Sequence, residues 1–349
     1  MIYLVVFAIS IFFAFVAEKK IDCGKKGWPY LILAALGPII LAGLRGNHVG
    51  MDTYAYVIPT YKYAIKSVDF SHFLELCGGF VEVGYAAFVY VVAKFFGNMA
   101  ILMFAIHLVI IAGIMYVNVC FKRLYGISIC FSYAIMLFFL YNPSLTIMRQ
   151  TMSFSIALVA MAFMIEKKYF KFAFFVCLSV LFHISIALFV VSFVLFYWTL
   201  KLGFAQKHSK WLFAIVFVLS FFIQSFIVPG LAMVDEKYVT RFDYYGNNSG
   251  GNVTIMLYGL WALIPFVLKK KMHFLFFLPI FGFAFQLLGK QSSYITRLAV
   301  PYMSMAMYTI PFVAKARNEK VLLLLSFVLQ WIFSILIRNN WCSLPYTID

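Results

Sequence analysis

Residues 99–120 read MAILMFAIHLVIIAGIMYVNVC, a predominantly apolar stretch that ends just before Lys122 and Arg123. A bilayer core about 30 Å thick is crossed by about 20 apolar residues in an α-helix, so this stretch has the length of a transmembrane helix. His107 lies inside it without polar neighbours in the sequence, which predicts a packing role only. The basic pair that follows is typical of a cytoplasmic helix end.

The composition extends this prediction to the whole chain. Of the 349 residues, 65% are apolar and 11% are charged, and the mean hydropathy is +0.97. Soluble domains are about half apolar and about 25% charged, so a soluble protein is excluded. The apolar runs are continuous rather than alternating, which favours helices over a β-barrel. We therefore predict an all-α, polytopic transmembrane helical bundle that forms one membrane-embedded domain over residues 1–349.

Thirteen apolar runs follow one another along the chain. They lie at residues 2–17, 29–44, 83–96, 99–120, 127–142, 151–165, 172–183, 184–200, 211–228, 254–268, 272–289, 298–313 and 321–337. The run at 83–96 is short and breaks the alternation of loop charge. We predict that it is a re-entrant or tilted helix, which leaves about 12 spans. The alternative is an additional crossing supplied by residues 54–80.

Lysine and arginine divide the loops into two sets. Eighteen of the 28 basic residues lie in six loops, whose net charge is +14. The positive-inside rule places these loops in the cytoplasm, and it explains the overall charge of +16 without a nucleic-acid partner. The other polar segments then face outward, and the largest of them are residues 45–82 and 229–253.

Eight polar residues beside apolar runs share the predicted outer face. They are Arg45, Asp52, Glu82, Arg149, Gln150, His183, Arg241 and Arg297. Ionisable residues near the membrane are costly and are functional candidates by default. For Arg45 alone a snorkelling side chain is the simpler interpretation, and for Glu82 helix capping is as plausible as chemistry. Arg149 has no acid near it in the sequence, so a distant acid or an anionic ligand must neutralise it.

Arginines from separate helices suit a phosphorylated ligand. If Arg45, Arg149 and Arg297 converge, their guanidinium groups form a clamp for phosphate oxygens. The sequence contains no Walker loop, no dinucleotide fingerprint and no zinc-protease motif. Its six cysteines have no disulfide or metal-site spacing. We predict neither a metal nor a cofactor.

Five short motifs follow one another along the chain in a characteristic order. They are Arg45 with Gly50-Met51-Asp52-Thr53 and Tyr56, Glu82 with Gly84-Tyr85, Arg149-Gln150 at the start of a helix, Phe182-His183 with Ser185 and Ala187, and Arg297 with Tyr302. Their order and loop positions resemble the EpsG-type, Wzy-like polymerases of bacterial exopolysaccharide and O-antigen repeat units. The resemblance covers most of the chain. Asn47-His48 and Ser153-Phe154 depart from the family pattern and leave the sugar undetermined.

The resemblance implies glycosyl transfer at the outer leaflet of the bacterial plasma membrane, with the active site facing the periplasm or the exterior. A polyprenyl-diphosphate-linked oligosaccharide donates its glycan to the terminal hydroxyl of another lipid-linked unit. Asp52 and Glu82, ahead of His183, are the expected general bases. The diphosphate and substrate ligands implied are Arg45, Arg149, Gln150, Arg297, Arg241, Tyr56 and Tyr302.

Partners and competing functions follow from the same resemblance. Membrane lipid is the surrounding medium, and a chain-length regulator and a flippase are the protein partners to expect. A transporter or flippase of lipid-linked oligosaccharide is the alternative from another class, because interior arginines also suit passage of an anionic substrate. A glycan ligase is the alternative within the enzymes, and it differs chiefly in its acceptor.

Overall fold

The computed structural model describes residues 2–201, 252–268, 273–289, 293–339 and 342–347. Within these ranges every regular element is a helix and no strand occurs. The predicted all-α fold is confirmed. Arg241 and nearly all of the predicted outward segment 229–253 lie outside the described residues.

Helices fill most of the first described range, up to residue 201. They are α1 (Ile2–Asp22), α2 (Trp28–Gly43), a π-helix (Thr53–Val57) that continues into α3 (Ile58–Lys66), α4 (Phe70–Cys77), α5 (Val83–Phe96), α6 (Met99–Tyr125), α7 (Ile129–Phe139), α8 (Tyr141–Thr146), α9 (Met148–Ile165), α10 (Tyr169–Phe182) and α11 (Ile186–Lys201).

The later described ranges contain the remaining helices. They are α12 (Asn252–Leu268), a 3₁₀ turn (Phe274–Phe276), α13 (Phe277–Leu288), α14 (Ser293–Ser304), α15 (Ala306–Val313), α16 (Arg317–Trp331) and a π-helix (Ile332–Ile337). By length and composition, α1, α6, α9 and the segment Arg317–Ile337 are able to cross a membrane. Seven shorter apolar helices accompany these four in the described part of the chain. A polytopic bundle is therefore the fold, and the number of spans remains a prediction.

Helix α6 has its ends fixed by local sequence. Asn98 accepts hydrogen bonds from the backbone N–H groups of Ala100 and Ile101, at 2.8 and 3.4 Å, and so caps the start of the helix. Gly126 follows the last turn with φ +67°, a left-handed conformation that glycine adopts without strain. Between these signals the helix has 27 residues, or about 40 Å at 1.5 Å per residue.

The predicted re-entrant segment corresponds to α5, which has 14 residues. This length is short of the roughly 20 residues that cross a bilayer perpendicularly. The residues 54–80, the alternative crossing, are broken into α3 with 9 residues and α4 with 8. Neither is long enough to span alone, and the re-entrant path of α5 stays a prediction.

Two compact units make up the chain. The first contains Met1–Ala187 together with Phe327–Asp349, and the second contains Leu188–Ser326. The prediction of one membrane domain is not decided by this division.

The core of the first unit is built around α9, the most buried of the four long apolar helices. Small residues make this burial possible, because Ser153, Ser155 and Ala157 are fully inaccessible and let neighbouring backbones approach. The Ser155 hydroxyl donates to the backbone carbonyl of Ile110 on α6 at 2.9 Å. Ser153 makes a similar bond to the other neighbouring helix, α10. These contacts hold α9 between α6 and α10.

Charged residues from loops that are distant in sequence meet at one end of the first unit. Lys122 lies 2.9 Å from Glu18 and 2.9 Å from Asp22. Nearby in the chain, Arg123 pairs with Glu166. All five belong to loops predicted to be cytoplasmic, so the structure brings those loops together as the alternation requires. Which side of the membrane they face remains a prediction.

The turn after α2 is held by the C-terminal segment of the same unit. The N–H groups of Gly46 and Gly50 donate to the carbonyls of Thr347 and Cys342, at 2.7 and 2.8 Å. Gly50 has φ +86°, and a side chain on it would collide with the Leu145 carbonyl. This glycine therefore allows the turn to approach Leu145 closely. The chain then continues through the buried Asp52 into the π-helix.

Candidate active site

Glu82 is the centre of a polar cluster in the first unit. It precedes α5 in an extended conformation, yet its side chain makes no capping hydrogen bond. One carboxylate oxygen, Oε2, lies 2.8 Å from Nη1 of Arg149. The other, Oε1, lies 2.6 Å from Nδ1 of His183. The capping interpretation of Glu82 is wrong, because both oxygens are used by side chains from other helices.

Arg149 begins the long buried helix α9 and is only 13% exposed. Its Nη1 donates to Glu82 and to the Phe80 carbonyl, the latter at 3.3 Å. The ring of Tyr56, on the π-helix, lies 4.4 Å from the guanidinium carbon and stabilises the cation. The sequence predicted a distant acid or an anionic ligand as partner for this arginine, and Glu82 is such an acid, 67 residues away.

Arg149 has further donors besides Nη1. Among the described residues, Nε and Nη2 have no hydrogen-bond partner, and Nε is fully buried. An unsatisfied buried donor costs about 1–3 kcal/mol, more when it is charged. Two adjacent free donors on one guanidinium match the geometry of phosphate or carboxylate oxygens.

His183 occupies the break between α10 and α11, where it ends α10 in an extended conformation. Its side chain is 24% exposed. Because Glu82 is a carboxylate and accepts only, the hydrogen between it and His183 belongs to Nδ1. In the neutral form of the imidazole, the second ring nitrogen, Nε2, is then a free acceptor among the described residues. The pair thus presents an imidazole with a fixed tautomer.

The ionisation of Glu82 follows from its partners. Burial by itself raises its pKa, but the hydrogen bond and charge of His183 and the charge of Arg149 together lower the pKa of Glu82 to about 2. A carboxylate this acidic is a weak proton acceptor at neutral pH. Glu82 is therefore suited to orienting its neighbours rather than to removing a proton itself.

Glu82→Gln tests this ionisation through stability. The fold lowers the pKa of Glu82 from 4.5 to about 2, so ionised Glu82 stabilises the native state above pH 4.5 and loses this effect as the pH falls toward 2. At neutral pH we expect the variant to be less stable by up to about 3 kcal/mol. Thermal unfolding in detergent between pH 2 and 7 measures the difference, which should shrink below pH 4.5. A difference that is independent of pH contradicts the assignment.

Arg45 lies deep in the same unit and is only 5% exposed. Its Nη2 contacts the sulfur atoms of Met148 and Met103, at 2.8 and 3.2 Å, and the hydroxyl of Thr53 at 3.3 Å. Its Nη1 lies 3.4 Å from Nε2 of His107. The snorkelling interpretation of Arg45 is wrong, because the guanidinium points into the protein. The packing role assigned to His107 was also incomplete, since His107 faces this guanidinium.

No carboxylate pairs with Arg45 in the described part of the chain. A buried cation without an ion pair is energetically costly, so a negatively charged group near it would be stabilised. Asp52 is buried at the start of the π-helix. Tyr85, on α5, lies beside Arg149, whose guanidinium carbon is 5.9 Å from the centre of the tyrosine ring.

The other predicted site residues are distributed as follows. Gln150 is buried next to Arg149 on α9. In the second unit, Arg297 lies on α14 and is half-buried. Tyr302, on the same helix, is buried against Phe281 and shares a 3.0 Å hydrogen bond with Ser192. The convergence of Arg297 with Arg45 and Arg149 therefore stays a prediction.

Sequence reasoning assigned no structural role to three contributors to this cluster. The Phe80 carbonyl, Gly84 and Ser153 act through backbone positions or small side chains, which carry no chemical signature in a sequence. The one signal was the short spacing of Glu82 and Gly84, which the motif already contained. Among the described residues, no group of three or more His, Cys, Asp or Glu side chains is arranged to hold a metal ion.

Comparison with known proteins gives one match. A sequence model described as the EpsG family matches residues 28–347. This range includes every residue of the cluster around Glu82 as well as Arg45, Arg297 and Tyr302. No curated protein and no solved structure matches the chain.

Proposed function

Since the chain belongs to the EpsG family, with a role related to exopolysaccharide polymerisation, we propose that it is the polymerase itself. In this proposal it transfers a glycan from a polyprenyl-diphosphate-linked oligosaccharide to the terminal hydroxyl of another lipid-linked repeat unit. The reaction takes place at the extracytoplasmic face of a bacterial plasma membrane. A chain-length regulator and a flippase are the proposed partner proteins.

One observation carries this proposal. Arg149 uses a single nitrogen, Nη1, to hold Glu82, and its Nε and Nη2 are free among the described residues. Glu82 in turn holds His183 through Nδ1 at 2.6 Å. An anion-binding group and a proton acceptor are therefore joined through one carboxylate, which is the pairing that glycosyl transfer from a diphosphate requires.

The leaving group is the first chemical problem. As the bond between the anomeric carbon and the diphosphate breaks, its electron pair moves to the phosphate oxygen and negative charge develops there. Fixed donors in a partly dry site stabilise such charge more strongly than water does. Arg149 is the proposed direct ligand because it is partly exposed. Arg45 is buried and has no carboxylate partner among the described residues, and it supplies further positive potential.

The acceptor is the second problem. Its hydroxyl oxygen attacks the anomeric carbon and forms the new glycosidic bond, and its proton passes to Nε2 of His183. Of the three candidate bases, Glu82 is too acidic and Asp52 is buried. We therefore rank His183 first, reversing the order expected from the sequence. Glu82 orients the imidazole and stabilises its protonated form, as the acid of a catalytic triad does.

Reconstitution tests the proposal. Purified protein in lipid nanodiscs is supplied with a defined polyprenyl-diphosphate oligosaccharide. The expected products are glycans of two and more repeat units, together with an equivalent amount of free lipid diphosphate. A transporter forms no new glycosidic bond and releases no diphosphate, and a ligase moves glycan only to a different acceptor. Either result refutes the polymerase.

A further inference from the structure

His183 is held at a chain break by its backbone. Its N–H donates to the carbonyl of Ser179 at 3.1 Å, the last hydrogen bond of α10, and its own carbonyl accepts from the N–H of Ile186 at 3.2 Å. The backbone angles are φ −164° and ψ 115°, so the chain is extended at this residue. The direction of the imidazole thus depends on how the end of α10 is fixed.

Ser153, on α9, holds the C-terminal end of α10 in place. Its hydroxyl donates to the Ser179 carbonyl at 2.6 Å and lies 3.4 Å from the His183 carbonyl. The same serine therefore contacts the acceptor of the His183 N–H and the carbonyl of His183 itself. Ser153 is also four residues after Arg149, so the two side chains lie on one face of α9. This face presents Arg149 to Glu82 and Ser153 to the backbone of His183.

Gly84, on α5, allows this helix to contact the same C-terminal end of α10. A side-chain carbon on Gly84 would lie 2.7 Å from the Leu181 carbonyl oxygen and 2.8 Å from its carbonyl carbon. These are backbone atoms, which cannot rotate away. The absence of a side chain at Gly84 therefore allows the first turn of α5 to touch the last turn of α10. Since Glu82 immediately precedes that turn, the contact sets the distance between its carboxylate and His183.

We propose that Ser153 and Gly84 are positioning residues for His183, locking the ends of α9, α5 and α10 so that the imidazole faces the reacting hydroxyl. This inference rests on the proposed function for its catalytic consequence. Among the described residues, Glu82, just before α5, contacts the imidazole, and Arg149 on α9 contacts the other carboxylate oxygen of Glu82. Neither Ser153 nor Gly84 touches substrate. A displacement of about 1 Å at a reacting group lowers rates by about 100-fold.

Ser155 provides a matched control on the same helix. Ser153 and Ser155 are both fully buried on α9 and both donate to backbone carbonyls of a neighbouring helix. The neighbour of Ser155 is α6, which carries neither Glu82 nor His183. Ser153→Ala and Ser155→Ala therefore remove equivalent hydrogen bonds, and only the first loosens the end of α10.

The experiment compares these variants by kinetics and by histidine modification. We expect Ser153→Ala to lower kcat by about 10- to 100-fold with KM little changed and with a shifted acid limb of the pH profile. Ser155→Ala should lower the melting temperature similarly while keeping kcat. In a substrate-free assay, mass spectrometry follows modification of His183 by diethyl pyrocarbonate, which should be faster in Ser153→Ala than in Ser155→Ala or the unaltered protein.

The outcomes are distinguishable. Equal kcat and equal His183 modification in the two serine variants overturn the positioning role. Unaltered protein that makes no polymer, but shows the difference in modification, refutes the proposed function and leaves the positioning role intact. Gly84→Ala is a second variant, with Gly37→Ala as its control because a side chain there meets only the side chains of Ser10 and Val6. Normal kcat in Gly84→Ala also counts against the proposal.

Discussion

Replacing Arg149 by alanine is expected to abolish polymer while single lipid-linked repeat units persist. The substitution removes the two free donors, Nε and Nη2, that would hold the departing diphosphate. Loss of one such donor from an active site costs about 100- to 1,000-fold in kcat, and here the positive charge is lost as well. It also removes the ion pair of Glu82 with Arg149, while the hydrogen bond of Glu82 with His183 is kept.

The expected loss is measured with the reconstituted polymerase and with polymer length in cells. Arg149→Lys should recover only part of the activity, because an ammonium group keeps the charge without the planar pair of donors. Arg123→Ala is the matched control, since Arg123 also pairs with a glutamate but is 64% exposed at the opposite end of α6 from Asn98. Normal chain length in a stably inserted Arg149→Ala protein rules out the diphosphate role.

Replacing His183 by glutamine is expected to lower kcat by about 100- to 10,000-fold, the range for loss of a general base. Glutamine can still donate to Glu82, so the link between α5 and the end of α10 is largely kept. Its amide cannot take up the proton of the attacking hydroxyl. Binding of the diphosphate by Arg149 should survive, and KM should therefore change little.

The pH profile separates this role from a structural one. The acid limb of kcat/KM, which reports protonation of the base in the free enzyme, should disappear in His183→Gln. His72→Gln serves as control, because His72 lies on the short helix α4, away from Glu82 in the sequence, and its ring accepts a hydrogen bond from the N–H of Val68. An unchanged acid limb in His183→Gln assigns the base to another residue, and Asp52→Asn is then the variant to measure.

The sequence by itself determined the class of the protein and, within the described residues, the places of its long apolar helices. Run length and hydropathy are local properties, so the apolar stretch at 99–120 became α6, with ends set by Asn98 and Gly126. The division of lysines and arginines among loops also predicted which loops share one side of the membrane, and the pairing of Lys122 with Glu18 is compatible with that prediction. The absence of a nearby acid was enough to predict that Arg149 needs a partner from elsewhere.

Only the tertiary structure decided which residues become partners. Glu82 is 67 residues from Arg149 and 101 from His183, and their contact depends on packing among α5, α9 and α10. A glutamate before a helix looks like a cap in sequence, and an arginine after a span looks solvent-exposed. Whether either is true depends on how the surrounding helices pack. Helix formation is governed by neighbours along the chain, whereas a side chain's partners are governed by close packing between helices.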